Sequence, residues 1–142
     1  MQPNATSAEV VELIEVPHIS EIGAGTSVEY LPFVRKRKIR PVKGARTFDR
    51  FISTRIAGDS LHDDGIFDGD YAICRLNFEI EELTNGRLVV IRTPVGLLMK
   101  HFYLAPNARV RLASANPDYP DLFFDIEDVE IQAIVVRTER EW

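Results

Sequence analysis

Residues 87–103, RLVVIRTPVGLLMKHFY, decide the fold class. Two runs rich in branched and aromatic side chains, 87–92 and 96–103, are the kind of segment that forms β-strands. Thr93-Pro94-Val95-Gly96 lies between them, and its proline and glycine are typical of a tight turn. The segment therefore predicts a β-hairpin.

Short runs of the same kind recur on both sides of this hairpin, with turn signals between them. Asp68-Gly69-Asp70 precedes one run and Asn85-Gly86 precedes the hairpin itself. The further predicted strands are 28–31, 51–56, 71–76, 109–113, 122–124 and 131–136. Many short strands at regular spacing predict a mainly β domain, built as a sandwich or a partly open barrel.

Composition narrows the class of protein. The 142 residues suffice for one domain with a sizeable core. An apolar fraction of 45% and a charged fraction of 27% are typical of a soluble globular protein. The net charge of −5 argues against a general nucleic-acid coat protein, but it is compatible with a local basic patch. Cys74 is the single cysteine, which excludes an intrachain disulfide.

Targeting signals are the next question. No apolar run approaches the roughly 18–20 residues that span a bilayer. Residues 1–6 lack the basic and apolar regions of a signal peptide. We therefore expect a cytoplasmic location.

Residues 1–27 differ from the rest and are predicted to form an N-terminal arm ahead of a β domain at 28–142. Thr6 and Glu9 fit a capping box that opens a short helix over 10–14, although the β-branched residues there also suit a short strand. Pro17 is predicted to end either element. Residues 18–27 are small and polar, which is typical of an extended segment.

Ser60 and Lys100 are the candidate reactive residues. Ser60 lies in the glycine-bounded turn segment IAGDSLHDDG, and Lys100 ends the apolar run VGLLM. A serine hydroxyl is a poor nucleophile until a base removes its proton. A lysine can be that base when it is neutral, and burial lowers its pKa. Lys100 shares one strand face with Leu98 and Phe102, and alternation alone leaves open whether that face is inward.

Other readings of this region are weaker. His62 lies too close to Ser60 in sequence, His101 faces the opposite side of a strand from Lys100, and His18 lies in the arm, so a Ser-His-Asp triad is disfavoured. His62 also occupies the second glycine position of a Gly-x-Ser-x-Gly elbow. The aspartates around the turn lack EF-hand spacing. We expect neither a metal nor a cofactor.

A basic run spans residues 35–46 and holds seven of the chain's 17 lysines and arginines. These are Arg35, Lys36, Arg37, Lys38, Arg40, Lys43 and Arg46. One interpretation is a solvated loop. The other is a loop that contacts DNA or an acidic partner.

Taken together, these segments resemble the LexA/UmuD family of self-cleaving Ser-Lys proteins. The resemblance runs from about Ile19 to Arg137 and depends on the order and spacing of its pieces. They are GDSL at 58–61, GIFDGD at 65–70, Asn85-Gly86 with the strand 88–91, Lys100, SANPDYP at 114–120 and the β-run 131–136. Leu61 stands where methionine is common, and the loop 77–85 is a few residues longer than in close relatives.

The resemblance implies a compact, mostly β peptidase domain with Ser60 as nucleophile and Lys100 as neutral general base. It implies an oxyanion hole made by the backbone N–H groups of Ser60 and Asp59. It also implies that the scissile bond is Ala24-Gly25, in the chain's own arm. A small residue and a flexible backbone suit a narrow site, and tethering gives a high effective concentration.

The length of the N-terminal arm indicates which branch of the LexA/UmuD family the chain resembles. About 24 residues precede the expected cut, too few for the helix-turn-helix domain of the family's repressors. The resemblance therefore implies a UmuD-like homodimer, cleaved in response to RecA filaments on single-stranded DNA. The processed form would serve a UmuC-like, error-prone translesion polymerase in the SOS response. The alternatives are a phage or mobile-element regulator on this fold, self-cleaving or not, and a signal-peptidase relative, which the missing transmembrane segment disfavours.

Overall fold

The computed structural model describes residues 12–19 and 35–141. Within these ranges the chain is mainly β, as the sequence predicts. The strands are β1 (Ile14–Ile19), β2 (Arg35–Ile39), β3 (Phe51–Arg55), β4 (Tyr71–Arg75), β5 (Arg87–Thr93), β6 (Gly96–Ala105), β7 (Arg109–Ala113), β8 (Leu122–Asp125) and β9 (Glu130–Glu139). Short 3-10 helices occupy His62–Asp64, Ile80–Glu82 and Ile126–Asp128. No helix in the described ranges is long and apolar enough to cross a membrane.

The described strands form one open, mixed sheet in the order β2-β1-β3-β4-β9-β5-β6-β7-β8. Every neighbouring pair is antiparallel except β1 and β3, which run parallel. The last strand of the chain, β9, lies between β4 and β5 and so joins the two halves of the sheet. This arrangement brings the turn after β3 and the strand β6 into one domain.

The hairpin of residues 87–103 is confirmed. β5 and β6 pair from Arg87 opposite Phe102 to Thr93 opposite Gly96. The Thr93 hydroxyl donates to the Gly96 carbonyl at 2.8 Å and accepts the Val95 N–H at 3.1 Å. These bonds close the turn at the end of the strand that carries Lys100.

The core lies on both faces of the sheet. Val90 packs in one cluster, whereas its neighbours Val89 and Ile91 pack in another, because successive side chains of a strand point to opposite faces. The first cluster also contains Leu61 and Ile66, from the turns that follow β3. These apolar anchors hold the segment that carries Ser60 against the sheet.

The N-terminal prediction needs correction. Pro17 does not end an element, because β1 runs through it from Ile14 to Ile19. The parallel ladder with β3 begins one residue later, at His18, so the missing N–H of proline removes no bond from that ladder. His18 is only 2% exposed and belongs to the sheet, although the sequence places it in a flexible arm. The capping box, the strand 28–31 and Ala24-Gly25 lie outside the described residues.

The sequence predicts that the basic run of residues 35–46 is a loop, and the structure shows that only part of it is. Its first half is the edge strand β2, which pairs antiparallel with β1. Ile39 is 2% exposed and packs with Val16 and Ile73, which fixes the strand to the core. Only the second half, from Arg40 onward, is a loop.

Candidate active site

Ser60 lies in a turn that follows β3, and contacts of the residues on both sides of Ser60 fix this turn. Gly58 has a φ of 88°, a backbone conformation that residues with a side chain rarely adopt. Its N–H donates to Asp68 Oδ1 at 2.8 Å. Leu61, next to Ser60, is 3% exposed and packs in the core. Ser60 itself is half-buried, so its hydroxyl sits at the surface of a fixed turn.

Ser60 and Lys100 line the same pocket. The pocket has a volume of about 150 Å³. Its lining residues are Arg55, Ile56, Ala57, Ser60, Leu61, Leu97, Leu98, Met99 and Lys100. Apart from Arg55 and the two candidate reactive residues, these side chains are apolar. The strand face that Lys100 shares with Leu98 and Phe102 packs against the core, and Lys100 itself is half-buried at this pocket.

The surroundings of Lys100 favour its neutral form. Burial lowers the pKa of the Lys100 amine below its ordinary value. Within the described part of the chain Lys100 makes no ion pair. Its Nζ instead donates to Ser114 Oγ at 2.7 Å and lies 5.4 Å from the ring centre of Tyr119. A partly desolvated amine without a carboxylate partner is suited to accept a proton.

Residues that follow β7 clamp the Ser60 turn. The Ala115 N–H donates to the Ser60 carbonyl at 2.8 Å, and the Asp63 N–H donates to the Ala115 carbonyl at 2.6 Å. This pair of backbone hydrogen bonds ties the turn to the same segment that supplies Ser114. The nucleophile candidate and the partner of the lysine are therefore positioned by one piece of chain.

The peptide between Asp59 and Ser60 is also fixed. The Asp59 carbonyl accepts the Asn116 side-chain amide at 2.9 Å and the His62 N–H at 3.2 Å. Because a peptide is planar and trans, the Ser60 N–H points the opposite way, away from these donors. Tyr119 donates its hydroxyl to Asp59 Oδ1 at 2.5 Å, and this bond raises the pKa of Tyr119. An N–H that is fixed in this way beside a serine can bind a developing negative charge.

The histidines do not line this pocket. His62 is exposed and contacts Phe67 edge-on, with ring centres 4.9 Å apart. His101 points away, with Nε2 2.6 Å from Asp64 Oδ2 and Nδ1 2.8 Å from the Gly86 carbonyl. His18 Nδ1 lies 3.1 Å from Ser53 Oγ, far along the sheet from Lys100 in strand order. The described residues also contain no group of three or more side chains that could hold a metal ion.

Ser114, Asn116 and Tyr119 are the site residues that sequence reasoning did not assign. They belong to the SANPDYP segment, which served only as part of the resemblance. The signal that could have found Ser114 is strand register. His101 pairs with Ala113 in the antiparallel β6–β7 ladder, so Ser114 follows Ala113 just as Lys100 precedes His101.

Comparison with known proteins identifies the family of this domain. The Peptidase S24-like family matches residues 17–136. The chain is 26% identical over 120 residues to the LexA repressor of Thermosipho africanus, covering 84% of this chain and 59% of the relative. It is 30% identical over 128 residues to the LexA repressor of Zymomonas mobilis, covering 88% and 55%. For the LexA repressor of Gluconobacter oxydans the identity is 29% over 138 residues, covering 97% and 56%.

The chain thus spans little more than half the length of these curated relatives. The resemblance to the LexA/UmuD family is confirmed over most of the chain, including the turn of Ser60 and the strand of Lys100. The chain belongs to the Peptidase S24-like family.

Proposed function

We propose that this chain is a UmuD-like, self-cleaving serine peptidase that cuts its own Ala24-Gly25 bond with Ser60 and Lys100. One observation carries the proposal. Ser60 and a half-buried lysine of lowered pKa line a single small pocket. Membership of the Peptidase S24-like family supports autocatalytic serine chemistry.

The topology supports cleavage of the chain's own arm. β1 runs parallel to β3, with Ile19 opposite Thr54, so both strands leave the sheet at the same end. Ser60 follows β3 in the turn beyond that end, and Ala24 follows Ile19 by five positions. Five extended residues span at most about 17 Å. The proposed bond therefore starts within reach of the Ser60 turn, and the tether raises its effective concentration.

The reaction needs only groups of this site. Neutral Lys100 Nζ takes the proton of Ser60 Oγ as the oxygen attacks the Ala24 carbonyl carbon. The C–N bond of the tetrahedral intermediate then breaks, and the Lys100 ammonium returns the proton to the amine of Gly25. Water hydrolyses the remaining ester between Ser60 and Ala24, with Lys100 again accepting a proton. The Ser60 N–H, and in this proposal the Asp59 N–H, bind the oxyanion.

The pocket supports alanine as the residue whose carbonyl is attacked. Its apolar wall of Leu97, Leu98 and Met99 suits a small apolar side chain. A charged side chain would bury its charge there without a partner. Ala24 meets this requirement.

The biological role is the finer part of the proposal. Members of this family typically dimerise, and we propose that this chain does so in the cytoplasm. Stimulation by RecA filaments and service to a UmuC-like translesion polymerase rest on the UmuD-like resemblance. A second candidate is a self-cleaving transcriptional regulator, because the curated relatives described above are LexA repressors.

One experiment addresses both the trigger and the role. Purified chain is incubated at neutral pH with RecA, a nucleotide cofactor and single-stranded DNA, and products are followed on gels, with Ser60→Ala as the matched control. We expect RecA filaments to accelerate conversion to residues 25–142 in the wild type alone. Equal rates with and without filaments would contradict RecA stimulation. Failure of the processed form to restore damage-induced mutagenesis in cells would favour the regulator.

A further inference from the structure

β1 lies inside the sheet, although it belongs to the segment that the proposed cleavage removes. The strand Ile14–Ile19 sits between β2 and β3, antiparallel to the first and parallel to the second. Val16 is 4% exposed, and His18 and Ile19 are each 2% exposed. Val16 packs in one core cluster and Ile19 in another, on opposite faces of the sheet. The proposed cut therefore separates a core strand, and not a loose arm, from the rest of the chain.

The attachment of β1 to its neighbours is short. Within the described residues its ladder with β2 has five residue pairs, and its ladder with β3 has two, His18 with Ser53 and Ile19 with Thr54. In the intact chain the tether holds the strand beside its partners at a high effective concentration, and cleavage removes this contribution. We therefore expect the cut strand, which is six residues long, to dissociate on dilution.

The two strands on either side of β1 are held to the domain without it. The Arg37 guanidinium of β2 bonds Glu139 Oε1 of β9 at 2.7 Å, and Ile39 is 2% exposed in the core. The Arg137 guanidinium donates to the carbonyls of residues 40–41 at 2.9 and 3.2 Å. β3 has five residue pairs with β4 on its other side. Closing the gap would move β2 by about 4.8 Å and break its contacts, so departure of β1 leaves a slot one strand wide.

The slot has its own backbone and charge requirements. β2 and β3 each gain an open edge, whose N–H and C=O groups can pair with an added strand. Four of the five residues of β2 are lysine or arginine. The charges of Arg35, Arg37 and Arg55 act on the buried His18 and lower its pKa, which places three cations close to this position. The slot therefore favours an extended segment with negative charge over one with positive charge.

The strand that occupies the slot in the intact chain shows which side chains fit. Val16 and Ile19 fill the core on opposite faces, so an occupant needs apolar side chains three positions apart. The exposed Glu15 lies opposite Lys38 in the ladder, so an acidic residue is accepted beside a cation of β2. Residues 9–16, EVVELIEV, combine three glutamates with apolar residues. An acidic and apolar extended segment is thus the class of ligand that the slot fits.

We propose that self-cleavage turns the β1 position into a binding site for an extended, acidic and apolar segment of a partner protein. The partner segment pairs antiparallel with β2 and parallel with β3, as β1 does. This inference rests on the proposed cleavage, because the cut decides when the slot opens. The intact chain fills the site with its own strand, and the processed chain offers it. A partner that binds there distinguishes the processed form from the intact form.

The first test opens the slot without the peptidase chemistry. The full chain carries Ser60→Ala and the thrombin recognition sequence LVPRGS in place of residues 21–26, and thrombin cuts it after folding. Mass spectrometry verifies a single cut after position 24. We expect residues 1–24 to separate from the remainder on size exclusion at about 1 µM protein. A fragment that stays bound at this dilution would overturn the proposal, whereas a wild type that does not cut itself would contradict the proposed function alone.

The second test uses a fluorescein-labelled synthetic peptide of residues 9–20 as the probe, with anisotropy as the readout. We expect the probe to bind the cut protein freed of its N-terminal fragment, and to bind the uncut protein about tenfold more weakly, because β1 competes for the slot. Within the peptide, Val16→Asp should weaken binding by about tenfold or more, because it buries an unpaired charge. Leu13→Asp, at a position that is 50% exposed in the intact chain, is the matched control.

Charge selection is tested on β2 of the cut protein. Lys36→Gln with Lys38→Gln should weaken probe binding about threefold at about 50 mM salt and less at about 500 mM. Arg92→Gln with Arg109→Gln removes the same charge from β5 and β7, and an equal effect of both double variants would overturn the choice of an acidic partner. A cut protein that does not bind the probe would show that the slot closes. Oligomers of the cut protein that the probe disperses would assign the slot to a second copy, and either result would overturn the proposal.

Discussion

Lys100 lies on β6 among apolar side chains, and this environment determines the pKa of its amine. Leu98 and Met99 line the same pocket, and the amine reaches Ser114 rather than a carboxylate. Desolvation without an opposing charge disfavours the ammonium, which is why the pKa of Lys100 falls below its ordinary value of 10.5. A general base is useful only to the extent that its neutral form is populated.

Self-cleavage is expected to accelerate with rising pH. The active form of Lys100 is the neutral amine, so the rate should rise about tenfold per pH unit below the pKa of Lys100. Because that pKa is lowered, the plateau should begin below pH 10.5. Initial rates of fragment formation between about pH 7 and pH 11 measure this profile. A rate that is independent of pH would exclude lysine as the base.

Ser114 is expected to position the Lys100 amine. Ser114→Ala removes the acceptor at 2.7 Å, so the amine loses its orientation and the maximal rate should fall about tenfold. Without this acceptor the ammonium form of Lys100 is less stabilised and the pKa of Lys100 falls further. The plateau of the pH profile should therefore begin at a lower pH. Ser114→Thr keeps a hydroxyl and should restore both properties. A lower rate with an unmoved profile in Ser114→Ala would instead indicate a packing role.

At the scale of elements, the pairing of β1 with β3 depends on a buried histidine. His18 packs beside Ser53, and its ring lies 5.7 Å from that of Tyr71. Burial lowers the pKa of His18, and the nearby charges of Arg35, Arg37 and Arg55 lower it further. Burial in the sheet and the nearby arginines thus favour the neutral form of this histidine.

Stability is expected to decrease as His18 is protonated. A base with a lowered folded-state pKa stabilises the fold fully above its unfolded pKa of 6.5, and this contribution is lost as the pH falls through the folded value. The melting temperature should therefore drop as the pH falls below 6.5. His18→Gln should flatten this part of the curve. His62→Gln, at an exposed position, should leave it unchanged, and an equal effect of both variants would contradict the assignment.

The strands could be predicted from sequence where each carries its own apolar pattern. β5, β6 and β7 were located within about two residues because their alternation is local. β1 and β2 could not be located in this way. β1 contains a proline and β2 consists almost entirely of cations, so neither has a strand pattern of its own, and both are strands because of the neighbours they pair with.

The residues of the candidate site likewise fall into those that the sequence motifs indicate and those that only the fold brings together. Ser60 and Lys100 were singled out because the order of motifs around them is specific, and the structure places both in one pocket, while their catalytic roles stay a prediction. Ser114 and Asn116 were not assigned, because their contacts arise from the register of β6 with β7 and from the approach of the following segment to the Ser60 turn. A local pattern holds no information on such pairings.

At the scale of the whole molecule, the segment after β9 is bonded to the turns that follow Ser60. Arg140, just after β9, bonds both carboxylate oxygens of Asp70, at 2.7 and 2.9 Å, and the Gly65 carbonyl at 3.2 Å. Asp70 is 3% exposed, and its bond to Arg140 lowers its pKa. The fork of Arg140 therefore links the last strand to the turns that follow Ser60.

Loss of this link is expected to weaken the fold and the site together. Asp70→Asn removes the charge that Arg140 binds, and the melting temperature should fall by about 5 °C. Cleavage should slow because the Ser60 turn loses support. Asp128→Asn, at an exposed position outside the candidate active site, is the matched control. Differential scanning calorimetry with a cleavage assay measures both effects, and an unchanged melting temperature in Asp70→Asn would contradict this role.

Intact mass spectrometry of the purified chain tests self-cleavage most directly. The wild type, Ser60→Ala and Lys100→Met are incubated at about pH 10, where a larger fraction of the lysine is neutral than at pH 7, and weighed over time. The account predicts two products from the wild type, residues 1–24 and 25–142, and none from either variant. A wild type that stays intact at this pH, or the same products from Ser60→Ala, would contradict it.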